Sequence, residues 1–137
     1  TYVNSPKALD ASLRLTGAPT VRLAGQITGV EGYVESAACG FMAGVFTAWD
    51  ILGKPTDPPG RETAMGALLA HLSASVDEAS VKETRFQPSN INFALFPPLG
   101  PGKVKKKERR RLMILRAREE MRKWLIRHGL FSGQAVP

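Results

Sequence analysis

Cysteine is nearly absent. Cys39 stands alone among 137 residues, which leaves no partner for an internal disulfide and no set of thiolates for a zinc site. That usage suits a reducing compartment, so a cytoplasmic protein is expected. Histidine is scarce as well: His71 and His128 are too isolated to propose a metal site or a catalytic triad, and no metal is expected. No uncharged run reaches the ~18 residues that cross a bilayer, and the stretch Ser36–Ala48 is rich in Gly and Ala, so no membrane partner is expected. No basic-then-apolar leader opens the chain, which starts at Thr1 rather than Met. It is expected to be the end of something longer.

What is present is a globular composition, 43% hydrophobic and 23% charged, in a chain long enough for a real core. The net charge of +7 is unevenly placed. Residues 103–128 carry twelve Lys/Arg against Glu108, Glu119 and Glu120, whereas the first 102 residues carry seven Lys/Arg against nine Asp/Glu. A near-neutral body with one basic terminal segment is the asymmetry of a polyanion contact.

Three segments follow from the patterning: 1–53, 54–102 and 103–137. In the first, Ser5-Pro6 signals a helix start, and Ala8, Leu9, Leu13 and Leu15 sit at helix-compatible spacing until Gly17-Ala18-Pro19. Val21-Arg22-Leu23-Ala24 predicts a short buried strand. A loop punctuated by Gly25, Gly29 and Gly32 then opens a helix over about Val34–Leu52. Its interior Gly40 and Gly44 each cost ~1 kcal/mol relative to Ala, which predicts close approach of a neighbour there.

In the second segment, a turn-rich linker (Gly53–Gly60) precedes a helix over Glu62–Ser73; Ser73–Thr84 is polar and ambiguous. The stretch Phe86–Leu99 is broken by prolines yet too apolar for a solvated loop, so it is expected to dock on protein. Beyond the Gly100-Pro101-Gly102 hinge, a helix over Lys105–His128 is expected to bury Ile114, Ala117, Met121, Trp124 and Leu125, with Gly129 as its stop.

Strand, glycine loop and helix together can turn backbone N–H groups and a helix N-terminus toward an anion or a polarised carbonyl. The same pattern also serves as a purely structural β–turn–α connection, and it is neither a Walker loop nor a dinucleotide fingerprint. Tyr33 either stacks on a flat ligand or packs under the loop. Glu35 either answers a ligand amine or complements the helix N-terminus. Cys39, with no cationic neighbour, is expected to be a buried small hydrophobe. The run Lys105, Lys106, Lys107, Arg109, Arg110 and Arg111, continued by Arg116, Arg118, Arg122, Lys123 and Arg127, is expected to contact RNA or DNA through phosphates. A solvated face and a membrane surface are the competing roles, and no interleaved aromatics or recognition signature mark the run.

The stretch Leu23-Ala24-Gly25-Gln26-Ile27-Thr28-Gly29-Val30-Glu31-Gly32-Tyr33-Val34-Glu35-Ser36-Ala37-Ala38 resembles the C-terminal flavin motif of the folate-dependent tRNA (uracil-5-)-methyltransferases. Thr1-Tyr2-Val3-Asn4-Ser5-Pro6-Lys7 and Phe86-Gln87-Pro88-Ser89-Asn90-Ile91-Asn92-Phe93 are similar to the same family, in the same order. The flavoproteins that install carboxymethylaminomethyl groups on tRNA uridines share Gly25-Gln26 and Gly32-Tyr33 but not the Phe-Gln-Pro segment.

The resemblance implies an α/β fold: the C-terminal part of a Rossmann-type, glutathione-reductase-like FAD-binding domain (1–53), then helical and docking segments (54–102) and a basic helix and tail (103–137). It implies an enzyme that carries a methylene from 5,10-methylenetetrahydrofolate to C5 of the T-loop uridine of tRNA, with FAD as cofactor and NAD(P)H as reductant. Gly25, Gln26 and Ile27 would meet the ribityl and pyrophosphate region. Thr28 to Gly32 would face the pyrimidine edge of the ring, and Tyr33 would stack on it. Gln26 stands where many wider relatives have Asp, which implies a neutral hydrogen bond. The Gly-x-Gly-x-x-Gly loop and the catalytic cysteines of the family have no counterpart here. The implied partner is therefore an N-terminal remainder of the same enzyme, and the chain alone is expected to be inactive. A non-catalytic RNA-binding module, or an rRNA-modifying relative, are the alternatives.

Overall fold

The computed structural model describes residues 1–73 and 86–132; most of the ambiguous stretch Ser73–Thr84 lies outside them. Ser5–Ala8 winds a single helical turn, α1, with proline at its start, where a missing N–H costs nothing. The helix expected across the first sixteen residues goes no further. The Asp10 carboxylate takes the N–H and Oγ of Ser12, both at 2.8 Å, and the N–H of Arg14 at 3.1 Å, capturing backbone that a helix would need. Leu9 and Leu13 still reach the core, but through a turn in which Leu13 takes a positive φ of 65°.

That turn leads into an antiparallel hairpin, β1 (Arg14–Leu15) and β2 (Ala18–Arg22), with a bulge between Arg14 and Leu15. The expected buried strand is thus displaced toward the N-terminus, and Pro19, Thr20 and Val21 are exposed. Two strands cannot cover each other's faces. Leu15 of β1 packs on the core, and from the β2 side only Leu23 and Ala24, just past the strand, do so.

Helix α2 (Tyr33–Ile51) buries Cys39, Met42, Phe46 and Trp49, a single stripe at spacings of three and four. Arg14 and Arg22 both reach Asp50 near its end, the latter at 2.7 Å, and fasten the hairpin to the helix. These guanidinium hydrogen bonds, Arg14 first, hold the Asp50 carboxyl below its ordinary pKa. The opposite stripe of α2 is bare. Gly40 and Gly44 have nothing within 4 Å of where a Cβ would stand, and Val34, Phe41 and Ile51 are exposed beside them. The close neighbour expected at the two glycines is absent among the described residues.

Helix α3 (Ala64–Leu72) starts on Thr63, whose Oγ1 accepts the Gly66 N–H at 2.9 Å. Gly66 passes so close to the linker that a Cβ would stand 2.0 Å from the Gly60 carbonyl oxygen. Helix α4 (Lys106–Arg127) is held by its C-terminal half. Trp124 is buried against Trp49, ring centroids 5.9 Å apart, and its indole N–H donates to the Asp57 carbonyl at 2.9 Å. Gly129 ends the helix at a φ of 66°, with the Leu130 N–H returned to the Leu125 carbonyl. One core takes Leu9, Met42, Phe46, Trp49, Leu68, Leu72 and Trp124 from all three sequence segments. Among the described residues no helix is long and apolar enough to cross a membrane.

Candidate cofactor loop and nucleic-acid surface

Positive φ values of 80°, 88° and 85° at Gly25, Gly29 and Gly32 let the chain fold back three times between β2 and α2. The inner wall of this loop is fixed from several sides. Ser5 Oγ donates to the Thr28 carbonyl at 2.6 Å, and the Val3 N–H to the Ile27 carbonyl at 2.9 Å. From the other side, the Phe86–Ile91 segment runs beside Val30 in a parallel bridge, with Ser89 N–H on the Gly29 carbonyl and Glu31 N–H on the Ser89 carbonyl. The Phe86 ring fills the space where Gly29 would carry a Cβ. The first half of the Phe/Pro segment therefore docks on this loop, while Pro97 and Pro98 lie against Arg116 of α4.

Gln26, Ile27, Gly32 and Tyr33 face outward, and Gly25 is half-buried. Thr28 points the other way: it is fully buried and its Oγ1 is bonded to the Gly25 carbonyl at 2.7 Å, so its side chain shapes the loop. Tyr33, first residue of α2, is 90% exposed and does not pack under the loop. Glu35 is turned inward, where its carboxylate accepts the Ile91 N–H at 3.2 Å. No side chain caps α2, so the N–H groups of Tyr33, Val34 and Glu35 have no acceptor inside the helix. One turn on, the Ser36 hydroxyl is buried without a hydrogen-bond partner; only the structure could single it out. Cys39 lies beneath, and burial pushes its thiol up to about 11, which makes it inert at neutral pH. His71 is stacked on Phe86, and His128 is bonded to Asp57 at 2.7 Å.

The basic segment divides into two halves. Toward the C-terminus several of its cations have protein partners: Arg122 with Glu119, Lys123 with Glu120, and Arg127 with Asp57, while Arg118 is exposed. Arg116, expected on the polyanion face, instead donates to the carbonyls of Pro97 and Pro98. Ile114, expected in the core, is 49% exposed, while Met113 is buried in its place. The N-terminal half of α4 faces the Phe/Pro segment rather than the Trp49 core, so its buried stripe is rotated by one residue. Lys105, Lys106 and Lys107 are exposed, and among the described residues none of them is in an ion pair. Arg111 pairs with Glu108, and Arg110 lies over the Phe93 ring with its Cζ 5.3 Å from the centroid. An aromatic does accompany the basic run, then, but it comes from a segment distant in sequence.

The Glucose inhibited division protein A family model matches residues 1–55. Three relatives carry the name methylenetetrahydrofolate–tRNA-(uracil-5-)-methyltransferase TrmFO. The one from Rhizorhabdus wittichii is 46% identical over 91% of this chain and 28% of its own length. The Syntrophotalea carbinolica protein is 49% identical over 90% and 26%, and the Caulobacter vibrioides protein 48% identical over 91% and 29%. The chain spans less than a third of the length of these relatives. Over the 90–91% of its residues that match, it is similar to these methylenetetrahydrofolate–tRNA-(uracil-5-)-methyltransferases.

Proposed function

We propose that this chain is the C-terminal part of a cytoplasmic, FAD-dependent enzyme acting on C5 of the T-loop uridine of tRNA. On this reading residues 1–53 complete a Rossmann-type FAD domain whose N-terminal remainder covers the bare stripe of α2. When bound there, FAD would accept electrons from NAD(P)H and pass a one-carbon unit from 5,10-methylenetetrahydrofolate to the base.

The observation that carries the proposal is the open N-terminus of α2 behind an exposed Tyr33. The N–H groups of Tyr33, Val34 and Glu35, which no side chain caps, with the orphaned Ser36 hydroxyl beside them, suit the electron-rich carbonyl edge of a flavin. Tyr33 offers a ring face for stacking and Gln26 a neutral hydrogen bond, and the positive φ of Gly25 and Gly32 shapes the loop that carries them. The residues present therefore fit the cofactor. Lys105, Lys106, Lys107, Arg109, Arg110 and Arg111 would hold tRNA phosphates.

The test is made in the complete enzyme, as the ratio of 450 nm flavin absorbance to protein. Stacked rings contribute ~0.5–1.5 kcal/mol beyond buried area. With the lost contact added, Tyr33→Ala is expected to weaken FAD by about 2–3 kcal/mol, roughly a hundredfold, and Tyr33→Phe by less than about tenfold. A folded Tyr33→Ala enzyme with full FAD content and unchanged turnover refutes the proposal.

A further inference from the structure

Between the Phe93–Leu95 turn and the first half of α4 lies an open cleft of about 840 Å³, within the ~300–1,000 Å³ of ligand sites. Phe93, Leu99 and Leu112 on its walls are each more than a third exposed. Lys106, Arg109 and Arg110 stand on its rim, and no acidic residue lines it. Arg116 clamps the carbonyls of Pro97 and Pro98, and the Asn92 side chain caps the Phe93 turn through the Ala94 N–H at 3.0 Å, so the wall is held against the helix. Apolar and aromatic surface is otherwise costly to leave in water beside a cluster of cations. The combination is complementary to a ligand that is flat and apolar at one end and anionic at the other.

We propose that this cleft receives one unpaired base of the bound RNA. The base stacks on the Phe93 face opposite the Arg110 guanidinium, and its flanking phosphates lie on Lys106 and Arg109. The inference deepens the RNA contact proposed above and rests on it. A paired base has both faces covered and cannot enter, so the cleft reads single-stranded character, whereas the lysines around it bind any phosphate backbone.

The test is fluorescence anisotropy on the full chain with a stem-loop RNA and a blunt duplex of equal phosphate number. Phe93→Leu, which keeps apolar volume but loses the ring, is expected to weaken the stem-loop by about five- to tenfold and leave the duplex unchanged. Phe93→Tyr should bind as the parent does. A stem-loop carrying 2-aminopurine in its loop should be quenched when the unaltered chain binds. If both RNAs bind with a steep salt dependence but the loop probe stays bright, or Phe93→Leu weakens both equally or neither, the cleft assignment falls and the phosphate contact stands. Salt-independent or absent binding to either RNA overturns both. So does equal or better binding to anionic vesicles.

Discussion

Tyr33 and Glu35 stand on the same first turn of α2 and face opposite ways. The Tyr33 ring projects outward, 90% exposed, while the Glu35 carboxylate reaches back to the Ile91 N–H at 3.2 Å. One turn of helix thus presents a ring on its outer side and ties down the Phe86–Ile91 segment on its inner side. The two roles are separable by mutation. Glu35→Ala leaves the Ile91 N–H without its partner and is expected to cost about 1 kcal/mol of stability, with Glu35→Gln costing less. Flavin content should change far less than in Tyr33→Ala, a contrast that thermal melting and the 450 nm ratio check together.

Gly66 and Gly44 predict opposite signs for the same substitution. At Gly66 a Cβ would strike the Gly60 and Pro59 carbonyl oxygens at 2.0 and 2.4 Å, which are backbone atoms and cannot swing away. Gly66→Ala is expected to destabilise by about 3 kcal/mol, because overpacking exceeds the ~1 kcal/mol gained in helix propensity. At Gly44 there is nothing to strike, so Gly44→Ala in this chain should stabilise by about 0.5–1 kcal/mol. Denaturant melts of the two variants measure both values. In the complete enzyme Gly44→Ala should lose that gain, since the proposed remainder would then lie against the added methyl.

Asp50 links the hairpin to α2 in a way that acid undoes. Its folded pKa is lowered, by the hydrogen bonds of Arg14 and then Arg22. The stability it contributes is therefore complete above the ordinary carboxylate value of about 3.9 and is lost as the pH falls below it. The difference in melting temperature between the parent chain and Asp50→Asn should be constant near neutrality and close below that value. A gap that instead widens in acid contradicts the assignment.

The basic run makes a prediction about salt. With about five phosphates contacted, log K for RNA should fall against log salt at a slope of roughly −3.5 to −4.5. Replacing Lys105, Lys106, Lys107, Arg109 and Arg110 together by Gln should flatten the slope by a similar amount. Replacing Arg116, Arg122 and Arg127 should change it less, because Arg116 is turned onto the Pro97 and Pro98 carbonyls and Arg122 and Arg127 stand beside carboxylates of the protein.

The parts of the fold legible in the sequence are those where local pattern and tertiary environment agree. Trp124 and Leu125 fall on the core side of α4, and Gly129 ends it, because the C-terminal half of that helix packs on a single surface. The glycines of the 25–33 loop were recognisable for the same reason: positive φ is a local demand. The N-terminal hairpin was not. Leu9 and Leu13 have helical spacing, yet the Asp10 side chain turns the chain between them, and both leucines reach the core by other means. Extending the Trp124 stripe along α4 predicts Ile114 in the core, which fails once the helix meets a second surface made by Pro97 and Pro98. The pairing of Phe93 with Arg110 crosses seventeen positions and a hinge, and no periodicity encodes it.

The first turn of α4 sets like charges against its own backbone. Lys105 occupies the cap position without capping, Lys106 and Lys107 follow, and Glu108 is the only acid there, while the aligned peptide dipoles already place about half a positive charge at that end. The anchoring contacts of Trp124 and His128 lie at the far end of the helix. Amide hydrogens of residues 106–110 should therefore exchange with solvent well before those of the Trp124 turn, and polyphosphate should slow the former without touching the latter. Ordering of that turn and arrival of the polyanion then become one linked equilibrium, in which part of the binding free energy is spent on completing a helix.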